Sequence, residues 1–156
     1  MRFAIEEGAL VFYHNGERTR IEAWGKDSLR VRSTMQGKFT ENPWALTEDI
    51  PHGEALIVVE EEDHWVGDGT IDKKEKATIT NGRIQAVVNF AGIITFYRDG
   101  QQILREYYRM YDGTLSRESR CLKVINRTWK GVIGGSEYEL NVKFESSDGE
   151  KIFGMG

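Results

Sequence analysis

The chain has 156 residues with 17 Gly, two Pro, one Cys and a formal net charge of −4. That length suits one domain able to bury a core without disulfides or a structural metal, and the single Cys121 excludes an internal disulfide framework. The mild acidic balance argues against a nucleic-acid partner, which calls for a basic footprint, and no apolar run approaches the ~18 residues of a membrane span.

At the amino end, Glu6 and Glu7 interrupt what would have to be the apolar region of a signal peptide. No secretory signal is read, and a cytoplasmic location is expected. Leu10-Val11-Phe12-Tyr13 is an apolar run of the length of a central strand. Thr19, Ile21 and Ala23 then alternate with Arg20, Glu22 and Trp24, and Leu29, Val31 and Ser33 with Arg30, Arg32 and Thr34. This period of two predicts strands. Gln36 to Gly53 holds both Pro43 and Pro51 and is the longest irregular stretch, with Trp44 and Leu46 to tack it onto the body. Leu56-Ile57-Val58-Val59 predicts a second central strand. From Lys76 to Tyr107 four β-prone runs follow one another, and Asn81-Gly82 and Asp99-Gly100 each join two of them as hairpin turns. Asn15-Gly16, Asp68-Gly69, Asp112-Gly113 and Asp148-Gly149 repeat the turn signal.

Ser116 to Val124 lacks a sustained helical stripe. In Glu137 to Glu145, by contrast, Tyr138, Leu140, Val142 and Phe144 share one face, the pattern of a half-buried strand. Many short strands with Gly turns, and no alternation with helices, predict an all-β fold, an antiparallel two-layer β-sandwich. Helix should be limited to a turn or two.

The search for chemistry assigns no catalytic, cofactor-binding or metal-binding residue. There is no G-x-S-x-G elbow, and Cys121 sits in a strand-like run where a thiol reads as a small core residue. Gly131 to Gly135 lacks the Lys-Ser/Thr ending of a phosphate loop. Asp63, His64, Asp68 and Asp72 cluster, but counting from Asp63 puts Lys74 where a calcium loop needs its twelfth-position Glu. His14, His52 and His64 are too far apart for a zinc site. The run Glu60-Glu61-Glu62-Asp63 reads as a solvated strand end that also blunts an edge. Asn126-Arg127-Thr128 matches a glycosylation acceptor, which means little without a secretory route. Trp24, Trp44, Trp65 and Trp129, with the tyrosines, could line a carbohydrate platform, although core or interface positions are the favoured reading.

Several segments resemble the amino-terminal β-sandwich domain of glycoside hydrolase family 31, which includes α-glucosidases and α-xylosidases. They are Arg20 to Arg32, Arg83 to Gln102 with Phe96-Tyr97-Arg98-Asp99-Gly100, and the tail. The tail runs Leu140-Asn141-Val142-Lys143-Phe144 and then Gly149-Glu150-Lys151-Ile152-Phe153-Gly154-Met155-Gly156, an aromatic-Gly-x-Gly signature with Met155 in place of the more usual Leu.

The resemblance implies a galactose mutarotase-like sandwich spanning 1–156 as a single domain, with the catalytic (β/α)₈ barrel following residue 156. It implies retaining hydrolysis of α-glucosides or α-xylosides by the full-length enzyme, whose two catalytic aspartates lie on that barrel, so no catalytic residue carries over to this chain. No cofactor is implied. The expected role is non-catalytic, scaffolding the barrel and shaping its mouth. Expected partners are the barrel of the same polypeptide, carbohydrate in the full-length enzyme, and a second copy through exposed apolar surface. The rival reading is an autonomous carbohydrate-binding module that uses exposed Trp and Tyr.

Overall fold

The computed structural model describes residues 2–14, 16–39, 50, 53–66, 69–108, 124–146 and 148–150. The chain divides into two compact units, Met1–Ile103 and Leu104–Gly156. All regular elements among the described residues are strands, and every pairing is antiparallel. The region Ser116 to Lys123, most of the Gln36 to Gly53 excursion, Cys121, Trp44, His52, Asp68 and the Lys151 to Gly156 tail lie outside the described residues.

In the first unit, β1 (Phe3–Glu6), β2 (Ala9–His14), β3 (Glu17–Ala23) and β4 (Leu29–Thr34) form one sheet in chain order. The strands β5 (Leu56–Trp65), β6 (Ile71–Asn81), β7 (Ile84–Val88), β8 (Ile94–Arg98) and β9 (Gln101–Arg105) form the second, again in chain order. Such up-and-down order follows from the short links, which leave each strand no reach beyond its neighbour. The two sheets face each other, with β3 against β6 and β4 against β7. Phe3, Leu10, Phe12 and Ile21 from one sheet and Ala77, Ile79, Ala86, Val88 and Ile94 from the other make one core. This is the two-layer sandwich that the alternation predicts.

The turns show why Gly recurs. Glu7-Gly8 (φ 49° and 74°) and Asp99-Gly100 (φ 50° and 80°) both carry two positive φ angles, as type I′ hairpins require. At Asn81-Gly82 the turn is displaced by one residue from the sequence expectation. Asn81 pairs with Ile84, so the central residues are Gly82 and Arg83, and only Gly82 (φ 58°) needs the left-handed region. Asn81 is drawn into the strand because its side-chain amide is used elsewhere. It donates to the carbonyls of Gly25 (2.8 Å) and Ser28 (2.7 Å), at the β3–β4 turn. Asp27 completes the clasp by accepting from the Arg83 amide at 2.9 Å. Two hairpin turns from opposite sheets are thereby locked together.

At the β7–β8 turn, Asn89 Oδ1 accepts from the amides of Ala91 and Ile93, each at 3.0 Å. The turn brings Gly92 (φ 75°) so close to the Phe12 ring that a Cβ there would stand 2.3 Å from the nearest ring carbon.

One expectation fails here. Leu56 to Val59 do not form a central strand: β5 is at the edge of its sheet. Ile57 and Val59 turn towards the core, while Leu56 is 67% exposed and Val58 also faces water.

The second unit is smaller. Strands β10 (Arg127–Gly131) and β11 (Tyr138–Val142) form a two-stranded hairpin, and Glu106 makes an isolated bridge with Phe144.

Candidate functional site

Three constellations among the described residues are built well enough to ask what they do. The first is the outer face of the β1–β4 sheet. Alternation puts Arg18, Arg20, Arg30 and Arg32 on the face opposite Ile21, and register sets Arg20 directly between Val11 and Arg32. At their centre the Glu22 side chain is buried. Its Oε2 accepts from Arg20 Nε at 3.0 Å, and its Oε1 lies 3.0 Å from Arg32 Nη2 and 3.8 Å from Arg30 Nη1. Aromatic rings cover the cations: Arg30 lies 4.4 Å over Trp24, and Arg18 and Arg32 lie 5.2 and 5.1 Å over Phe39.

Glu6 belongs to the same face, ion-paired with Arg18 and accepting the Tyr13 hydroxyl at 2.6 Å. That hydroxyl bond, opposed by desolvation and aided by Arg18, holds the Glu6 carboxyl below its usual range and pushes the Tyr13 phenol up. Beside this network is a cleft of about 610 Å³ lined by Gly8, Ala23, Gly53 and Ala55 with Glu7, Arg20, Glu22 and Glu54. Its one buried carboxylate is committed to arginines. A glycosidase pair needs one carboxyl free to act as an acid across a substrate-sized gap, and Glu22 is not so placed. The network stiffens the sheet.

The second constellation is the distal half of the β5–β6 hairpin. Ten cross-strand pairs run from Leu56↔Thr80 to Trp65↔Ile71. The acidic run foreseen as a solvated, edge-blunting segment lies here, and lysines answer it: Lys76 with Glu60 (3.3 Å) and Glu62 (3.4 Å), and Lys73 with Glu61 (3.5 Å). Glu60 and Glu62 together raise the Lys76 ammonium above its usual range, and Lys74 lowers the Asp72 carboxyl. His64 and Asp72 face each other across the hairpin, and His64 packs on Phe90 with ring centroids 4.8 Å apart. Among the described residues no three His, Cys, Asp or Glu side chains converge as metal ligands.

The third constellation belongs to the second unit and escaped the sequence reading. Glu106 is buried and accepts from Asn126 Nδ2 (2.7 Å) and twice from Arg127 Nη1 (2.6 and 2.8 Å). Asn126 is therefore an internal hydrogen-bonding residue and not an exposed glycan acceptor. Sequence gave no hint, because the partners are 20 and 21 residues apart. The Tyr138 to Phe144 alternation is real but not half-buried. Tyr138, Leu140, Val142 and Phe144 are all exposed on one stripe, alongside Trp129, which meets Tyr138 edge-on at 6.2 Å.

The exposed aromatic side chains Tyr13, Trp65, Tyr138 and Phe144 are dispersed over β2, the β5 tip and the second unit. Within the first unit Tyr13 and Trp65 lie on different sheets.

The described residues form an antiparallel sandwich whose two sheets are clasped at their turns, and a small hairpin unit follows it in the chain. Comparison with known proteins gives the relationship. The chain is 35% identical over 147 residues to an uncharacterized family 31 glucosidase, ORF2, of Pseudescherichia vulneris, a match covering 88% of this chain and 25% of that protein. It is also similar to the crystal structure of a GH31 alpha-xylosidase from a soil metagenome, complexed with xylose. That likeness has a TM-score of 0.68 and 31% identity, over 96% of this chain and 21% of the other. No family model matches. The chain is related to glycoside hydrolase family 31, and it spans about a quarter of the length of these relatives.

Proposed function

We propose that the chain is the non-catalytic amino-terminal sandwich of a family 31 α-glycosidase, scaffolding a catalytic barrel that belongs to the same polypeptide. The observation that carries this reading is the asymmetry of coverage: 88% and 96% of this chain align, against 25% and 21% of the two relatives. The exposed stripe of Tyr138, Leu140, Val142 and Phe144 supports it. A two-stranded sheet is marginal in water unless something packs on its apolar face, and interfaces between domains of one chain bury ~600–1,500 Å². The substrate of the whole enzyme would be an α-linked glucoside or xyloside, cleaved by residues outside this chain.

The test has two arms. Purified 1–156 should leave aryl α-glucosides and α-xylosides intact, and turnover abolished by mutating one of its own Asp or Glu residues would refute the reading. In the polypeptide extended to the end of its reading frame, Leu140→Asp should lower the melting temperature more than it does in 1–156. An equal effect in both would remove the stripe from the scaffold.

A further inference from the structure

The β5–β6 hairpin outruns the core it grows from. Its proximal residues Ile57, Val59, Ala77 and Ile79 belong to the core cluster, whereas none from Glu60 to Trp65 or from Ile71 to Lys76 does. From Glu60 to Trp65 the ribbon extends about 17 Å at about 3.4 Å per residue. The stalk is charged and self-neutralised by its Lys–Glu pairs, and it is braced just short of its end, where His64 rests on Phe90.

Its tip is different in kind. Trp65 pairs across the ribbon with Ile71, Val66 follows, and Trp65 is 71% exposed. The tip is also shaped: the Val66 amide donates to Thr70 O at 2.9 Å and the Gly69 amide to Val66 O at 3.0 Å. A ribbon held in register as far as Trp65 and Ile71, presenting an indole and two β-branched side chains to water, has the composition of an interface anchor. Trp is, with Tyr and Arg, among the residue types enriched in such anchors.

The size of the tip selects its occupant. Trp65 offers about 150 Å² and the two aliphatic neighbours about as much again, some 300 Å² against the ~800 Å² per partner of a stable interface between separate molecules. Alone, such a tip cannot hold a second copy. It can engage a surface already kept close by covalent connection, where effective concentration replaces contact area.

We propose that the Trp65–Ile71 tip is an anchor that inserts into an apolar pocket on the remainder of the same polypeptide. This rests on the scaffold reading above. The stalk then sets how far from the sandwich that pocket lies, and the indole supplies the buried contact.

Hydroxyl-radical footprinting, read at Trp65 by mass spectrometry, tests it on 1–156 and on the extended polypeptide. Modification should fall about fivefold in the extended polypeptide, as the indole passes from 71% exposed to a desolvated pocket, and the protection should not change with protein concentration. Trp65→Ser should lower the melting temperature of the extended polypeptide and leave that of 1–156 unchanged. Equal modification in both would overturn the anchor, as would protection that grows with concentration, which would assign the tip to a second copy. An extended polypeptide that cleaves aryl α-glycosides yet leaves Trp65 exposed overturns the anchor alone. A reading frame with no catalytic domain overturns the scaffold reading first.

Discussion

The two units solve burial in opposite ways. Among the described residues of Met1–Ile103 the core is built from apolar side chains of two facing sheets, while Asn81 clasps the rim and the buried Glu22 sits in the arginine network of an outer face. In Leu104–Gly156 no apolar side chain among the described residues is fully buried, whereas Glu106, Asn126 and Arg127 are. The first unit is thus held by apolar area, which is worth about 25 cal/mol per Å² and needs no partner outside it. The second is organised by an ion pair whose desolvation cost offsets much of its attraction, and its apolar stripe is left over. Among its described residues the second unit buries charged and amide side chains and leaves its apolar stripe exposed.

Removing half of the ion pair should produce the largest effect and keep it local. Arg127→Met leaves a buried carboxylate without its cation, a loss of about 3–5 kcal/mol. The Tyr107, Lys143 and Glu145 amides, which bond Lys143, Asn126 and Arg105 carbonyls, should lose exchange protection while β2 and β6 keep theirs. Replacing Glu106 by Leu in the same molecule should restore much of the loss, because an apolar pair of similar volume carries no desolvation cost.

In the first unit the comparable lesion is steric. Gly92→Val combines a left-handed φ with a Cβ pressed into Phe12, together about 2–5 kcal/mol, read as a lower urea midpoint for the sandwich alone. Asn81→Ala should cost less, about 1–2 kcal/mol, because it takes a donor from the part-buried Gly25 and Ser28 carbonyls, the second of which keeps the Trp24 amide. If it instead unfolded the sandwich, the clasp would rank with the core.

The smallest effect is that of pH. The Glu6 carboxyl sits below its usual 4.5 because of the Tyr13 hydroxyl and Arg18. Asp99 is likewise lowered by Arg83, and Asp72 by Lys74. Depressed carboxyls contribute stability in full above their ordinary values and lose it as pH falls through the lower folded ones. The urea midpoint of the sandwich should therefore be flat from neutrality down and decline below ~pH 4. Tyr13, raised by its bond to Glu6, works in reverse: its contribution is complete below 10.0 and fades as pH rises past its folded value. Tyr13→Phe should flatten both limbs.

Much of the sandwich was legible because a period of two assigns faces without knowledge of the fold. Ile21 in and Arg20 out, or Ala86 in and Gln85 out, follow from alternation alone. Alternation does not say whether a face is covered. Leu56 and Val58 have the pattern of Leu10 and Phe12, yet an edge position leaves them wet, and Tyr138 to Phe144 repeats the case in the second unit. The Asn81 turn was displaced by amide bonds to residues 53 and 56 positions away, and the Glu106 cluster also depends on long-range partners. Such contacts are a property of the folded chain and leave no local signature. The arm was visible as an acidic run, but only the ten-pair register shows that it carries Trp65 beyond the core.

The central contrast is most directly tested by native-state hydrogen exchange on the 156-residue chain. Amides of β2, β3, β6 and β7 should exchange only through global unfolding, and those of β10 and β11 through openings of much lower free energy. Uniform protection at the global value in both units would contradict the contrast, because the second unit would then need no cover to complete it.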